Sequence, residues 1–155
     1  MAGVCAIVFA VGGVAAAESV PADWMTVTAG DALTLRAPRG TTFVRTQSAD
    51  SLTGTFKGPG FLFDIDYGLY SDPLKTTGAY TDFKTADIRI DGKAARMTLA
   101  TFQKPQSGRR YFFGLHAPDV ATTALGKLKL TVTAAAKDRA ELELIERMIG
   151  TIRFK

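Results

Sequence analysis

DSLTGTFKGPGFLFDIDYGLYSDPL, residues 50–74, decides the fold class. Leu52, Gly54 and Phe56 alternate with Thr53, Thr55 and Lys57. Successive side chains in a strand point to opposite faces, so this period of two predicts a strand with one buried side. Gly58-Pro59-Gly60 then turns the chain. Phe61, Phe63, Ile65 and Tyr67 share the next face, and Leu62, Asp64 and Asp66 take the other. Two alternating runs about a turn predict a β-hairpin.

The same reading extends upstream. Residues 18–29 form a polar lead-in containing Pro21 and Trp24, the only tryptophan. Leu33 and Leu35 alternate with Thr34 and Arg36, Pro38-Arg39-Gly40 ends that strand, and a short strand restarts around Phe43. Downstream, residues 70–84 show no period and predict a long loop, a feature that is often functional. Ala86, Ile88 and Ile90 are expected to point inward. Asp91-Gly92 predicts a tight hairpin turn, because both of its central residues need positive φ. Ala95, Met97 and Leu99 share a face of the return strand, and residues 105–108 form the next turn. Residues 110–117 are apolar on both sides, which predicts a central strand covered on both faces.

Leu128, Leu130 and Val132 alternate with Lys127, Lys129 and Thr131 in the cleanest half-buried strand of the chain. The period then becomes helical: Leu142, Ile145 and Ile149 fall on one face, joined by Leu144 and Met148. Asp138 predicts the N-cap, with Glu141 three residues on as in a capping box. Gly150 is placed for a left-handed C-cap, and Ile152 and Phe154 for a closing strand. Strands without βαβ alternation predict an α+β fold. The expectation is an antiparallel β-sheet of about six to nine short strands with the C-terminal helix packed on it, in a single domain over residues 18–155.

Composition bounds the function. The chain has 155 residues, of which 46% are hydrophobic and 22% charged, as in an ordinary globular domain. Residues 4–17 carry no charge and end in Ala15-Ala16-Ala17. That run is too short to span a bilayer and fits a secretory signal peptide, residues 1–17, although no Lys or Arg precedes it. The expectation is export to the periplasm or beyond the cell, with Cys5, the only cysteine, lost on cleavage after Ala17. No stable membrane insertion is expected after that cleavage. The formal net charge is +4, but Lys and Arg are scattered along the chain. Scattering argues against nucleic acid, which needs clustered cations and stacking aromatics. It leaves a solvated basic surface, or weak attraction to anionic envelope surfaces.

Several segments together resemble small exported bacterial proteins of uncharacterised function with a PsbP/Mog1-like α+β sandwich. The matching residues are Leu35 and Pro38; Asp50-Ser51 with Gly54 and Phe56; and Asp66-Tyr67-Gly68, Tyr70-Ser71 and Pro73-Leu74. Further matches are Ile90-Asp91-Gly92 with Ala94-Ala95, the closing helix, and Thr151-Ile152-Arg153-Phe154. The resemblance spans about residues 31–154. It implies the sandwich fold and a role as an interaction or assembly module, and it supplies no catalytic residue.

The residues themselves offer three chemistries. Tyr67, Tyr70, Asp72, Tyr80 and Phe83 could line a recognition surface for an envelope protein, since aromatics with a polar tip are enriched at interfaces, or could pack the loop onto the sheet. Asp64, Asp66 and Asp72 could bind Ca²⁺ or a small ligand, or serve as structural carboxylates. His116, the only histidine, could serve a Ser-His-Asp hydrolase, but no G-x-S-x-G accompanies it. No phosphate-cradling glycine loop precedes a helix. The reading is therefore a non-enzymatic exported protein with no cofactor and no assigned metal or catalytic residue. No oligomeric state follows from the residues.

Overall fold

The computed structural model describes residues 19–74 and 79–155. Residues 1–17, read as a signal peptide, lie outside the described residues, as do residues 75–78 of the expected loop.

Ten strands and one helix occur among the described residues. They are β1 (Met25–Ala29), β2 (Leu33–Ala37), β3 (Thr42–Thr46), β4 (Ser51–Gly58), β5 (Phe61–Gly68), β6 (Tyr80–Ile90), β7 (Lys93–Gln106), β8 (Arg109–Thr123), β9 (Gly126–Ala136), α1 (Arg139–Ile149) and β10 (Arg153–Phe154). The large sheet has the order β3-β4-β5-β9-β8-β7-β6, and a small sheet has the order β1-β2-β10. All the pairings are antiparallel.

The expected α+β class is borne out: an antiparallel sheet with the C-terminal helix packed on it. Two details differ. The strands form two sheets rather than one, and β6 to β9 are long, running from 11 to 15 residues. Long strands follow from tight turns. Asp91 and Gly92 have φ of 49° and 77°, and Ser107 and Gly108 have 51° and 76°. Both pairs match the twist of the strands they join, so the hairpins propagate without splaying.

The residues 50–74 stretch builds the hairpin it predicts. Gly58 pairs with Phe61 and Ser51 with Gly68. Phe61, Phe63 and Ile65 are buried, and Asp64 is exposed. One core cluster joins them to Phe113, Leu115, Leu130 and Val132 of the large sheet, Leu33 and Leu35 of the small sheet, and Leu142, Ile145 and Ile149 of the helix. Each such side chain stabilises the fold by about 1.5–3 kcal/mol on burial. The helix thus lies against β9, β5 and β8 on one side and β2 on the other.

Asp138 caps the helix as expected, accepting from the Glu141 N–H at 2.9 Å. Gly150 departs from expectation: its φ is −61°, ordinary right-handed backbone. Thr151 ends the helix instead. Its hydroxyl donates to Met148 O at 2.6 Å and accepts from the Arg36 N–H at 2.8 Å, tying the helix end to β2.

Candidate functional site

At the end of the large sheet where β5 finishes and β9 begins, the helix and small sheet leave part of the inner face uncovered. Leu52, Tyr67, Leu128 and Ala121, from four neighbouring strands, line an open groove of about 600 Å³. Asp31 and Lys155 line it from the small sheet, Arg45 from β3, and Asp50 from the segment joining β3 to β4. Lys155 Nζ donates to Gly30 O at 3.1 Å. The Tyr67 ring stacks on Phe154 with centroids 6.4 Å apart. Burial pushes the Tyr67 phenol above its ordinary 10.0, so it stays protonated as a donor at neutral pH. The groove therefore combines an apolar lining with charges of both signs.

Beside this groove stands an exposed apolar tip. A side chain on Gly126 would meet Leu69 Cδ2 at 3.5 Å, so the turn carrying Leu125 adjoins the turn carrying Tyr70. Tyr70 is 73% exposed and Leu125 85%. Burial of such side chains in an interface would remove apolar area from water at no cost to the fold.

Past Tyr70 the chain straps across the outer face of the large sheet. Ser71, only 1% exposed, lies 3.0 Å from Asp66 O and 2.7 Å from Thr131 Oγ1. The Thr131 hydroxyl donates to Asp72 O at 2.7 Å, so its oxygen is left to accept, and His116 Nδ1–H donates to it at 2.9 Å. Leu74 then fills the space above Gly114, where any Cβ would collide with its Cδ1. Ala79 O accepts from Gln103 N at 3.0 Å, and Tyr80 enters β6. Residues 71–74 thus lie across β5, β9 and β8.

Burial and nearby charge set how His116 titrates. Burial and the neighbouring Lys129 cation lower its pKa from 6.5, opposed by Asp72. A base with a depressed folded pKa binds fewer protons folded than unfolded, so its contribution to stability is complete above 6.5 and is lost as pH falls through the folded value. The urea midpoint is expected to fall between about pH 7 and about pH 5, and His116→Asn to flatten part of that slope. An identical slope in the variant would show that His116 does not carry it.

The residues singled out from sequence fall in separate settings. Tyr67 lies in the groove, Tyr70 on the tip, and Asp72 in the strap through its backbone carbonyl. Tyr80 and Phe83 meet edge to face at 6.1 Å, and Tyr80 also packs on Phe102 at 5.2 Å and Phe112 at 4.9 Å. Asp64 accepts from the Thr55 hydroxyl on the adjacent strand. Among the described residues no three His, Cys, Asp or Glu side chains are grouped to hold a metal ion. His116 bonds Thr131, and the Ser71 hydroxyl meets Thr131 rather than the imidazole. Leu125, Arg45, Asp50 and Lys155 were not singled out. Leu125 had a local signal, a large apolar residue in a hairpin turn, whereas the groove is made by segments far apart in sequence.

No protein-family model matches this chain, and no curated protein matches it. Among the described residues no helix is long and apolar enough to cross a membrane.

Proposed function

We propose that this chain is an exported, non-enzymatic interaction or assembly module of the periplasm or extracellular space, with the PsbP/Mog1-like form of the sandwich. Its partner is an envelope protein. The observation that carries the reading is the end groove: four strands line it with apolar side chains, and the exposed Tyr70 and Leu125 stand beside it. A partner segment laid in the groove would cover both. Buried aromatic and aliphatic anchors surrounded by a charged rim are what concentrates binding energy at interfaces.

The test is affinity capture from the producing organism's envelope extract, with Tyr70→Ala/Leu125→Ala and Tyr80→Ala as comparators. One partner enriched by the wild type should be lost roughly tenfold or more by the double variant, and kept by Tyr80→Ala, which lies in a different cluster. No enriched partner, or equal capture by the double variant, overturns the reading.

A second reading rests on the groove's size. A volume of about 600 Å³ suits a small ligand, and Arg45 and Lys155 together with Asp31 and Asp50 would suit an amphipathic zwitterion. A thermal shift with such ligands but no protein capture would favour it. A shift with millimolar Ca²⁺ alone would favour the carboxylate alternative at Asp64, Asp66 and Asp72.

A further inference from the structure

The end of the large sheet opposite the groove carries a different surface. Ala100, Phe102 and Phe112 form a second apolar cluster on the outer face, covered by Leu74, Tyr80 and Ala135. Phe83 stands at its open edge, 42% exposed and edge-on to Tyr80. Around it the topology gathers cations that are scattered in sequence. Arg110, two residues before Phe112, shares that residue's face of β8. Lys104 lies in the same hairpin, and Lys137 follows β9, whose last residue pairs with Tyr111.

All three cations are exposed, and none is in an ion pair among the described residues. The nearby acids are occupied or few. Glu141 is buried against Arg109, Asp138 caps the helix, and Asp82 is the exposed acid of β6 at this end. Toward the groove end, Arg96 is matched with Asp87, Lys127 with Asp119, and Arg153 with Asp91. The end opposite the groove therefore gathers three cations outside any ion pair beside an exposed ring.

We infer that this end docks on an anionic lipid surface, with Lys104, Arg110 and Lys137 meeting headgroup phosphates and the Phe83 ring entering the interface. Lysine and arginine stems can lie along an apolar surface while their heads reach phosphate, and a single exposed ring suits the headgroup boundary. A nucleic acid strand would need several exposed rings for stacking, whereas Phe102 and Phe112 are buried. Each basic residue held near an anionic surface strengthens binding by about fivefold, and three together give weak, salt-sensitive attachment. This surface is distinct from the groove and does not depend on it.

The experiment is vesicle co-sedimentation of the full chain. Phosphatidylcholine vesicles with and without about one-third phosphatidylglycerol separate headgroup attraction from any apolar insertion, which would bind both alike. Wild type is expected on the anionic vesicles only, released by high salt. Lys104→Glu/Arg110→Glu should weaken binding by about 25-fold or more, and Phe83→Ala by several-fold. Lys93→Glu, in the β6–β7 turn toward the groove end, should change little. Circular dichroism confirms that each variant is folded. Equal binding to neutral vesicles, no binding to anionic ones, or equal loss with Lys93→Glu overturns the inference. So does tighter binding to an oligothymidine strand than to the anionic vesicles.

Discussion

Phe63→Ala is expected to lower the unfolding free energy by about 3–5 kcal/mol, the largest effect of any single substitution considered. Phe63 is fully buried. It stacks on Phe56 at 5.0 Å and on Phe61 at 6.3 Å, and Phe56 in turn meets Phe43 at 4.8 Å. This ladder of rings links β3, β4 and β5. Removing its middle member forfeits transfer energy and leaves a cavity that the neighbouring rings, each fixed on a paired strand, are poorly placed to fill. Total stabilities are about 5–15 kcal/mol, so the variant would sit near the folding threshold. Urea unfolding at low temperature measures the difference. A cost below about 1 kcal/mol would mean that the ladder collapses onto the gap and does not set the position of these strands.

Glu141→Ala is the second large expectation, at about 2–4 kcal/mol. Glu141 is only 4% exposed, yet it is charged at the N-terminus of the helix. One carboxylate oxygen accepts from Arg109 Nη1 and the other from the Lys137 N–H at 3.0 Å. Arg109 also donates to Ala135 O at 2.6 Å. The pair thus ties the start of β8 and the end of β9 to the first turn of the helix, where the helix dipole favours the negative charge. Truncation leaves the Lys137 N–H and Arg109 without their acceptor. Arg109 is partly exposed and can turn to water, which keeps the cost below that of a fully buried pair. The Glu141→Ala/Arg109→Ala cycle should give a coupling of about 1–3 kcal/mol. Additivity would show that the two side chains act separately.

Much of this architecture could be read from local pattern. Period-two runs located β4, β5 and β9. Asp91-Gly92 located a hairpin turn, and Asp138 the start of the helix. Residues 110–117 proved to be a strand with Phe113 and Leu115 in the main core and Phe112 in the second cluster, as their apolarity on both sides implied.

The misreadings share one cause: local periodicity fails where the chain is exposed or bulged. β6 begins at Tyr80, inside the expected loop, because the register shifts between Thr81 and Lys84 and Asp82 takes φ of 52°. That bulge interrupts the alternation. For the same strand, Ala86 is exposed although it was expected inward, since an edge strand has little to bury. β1 was hidden in a lead-in read as polar, with only Val27 and Ala29 buried. Glu141 was recognised as a capping residue, but its carboxylate serves Lys137 and Arg109, a distant partner that no spacing announces.

The candidate site was less legible still. Tyr67 and Tyr70 were visible as amphipathic residues on a turn. The pairing of β5 with β9 brings together segments some sixty residues apart, and that pairing creates both the groove and the strap's anchor on Thr131. A sequence records which side chains can face inward; it does not record which other segment they will face.

The small layer has a consequence for folding. β2 is bordered by β1 and by β10, and Thr151 bonds a residue 115 positions earlier in the chain. β1 and β2 therefore wait for residues 115 positions further along before their edge is closed and their inner side is roofed. The layer cannot lock until the segment that follows the helix is in place, and so distant a closure is slow to form.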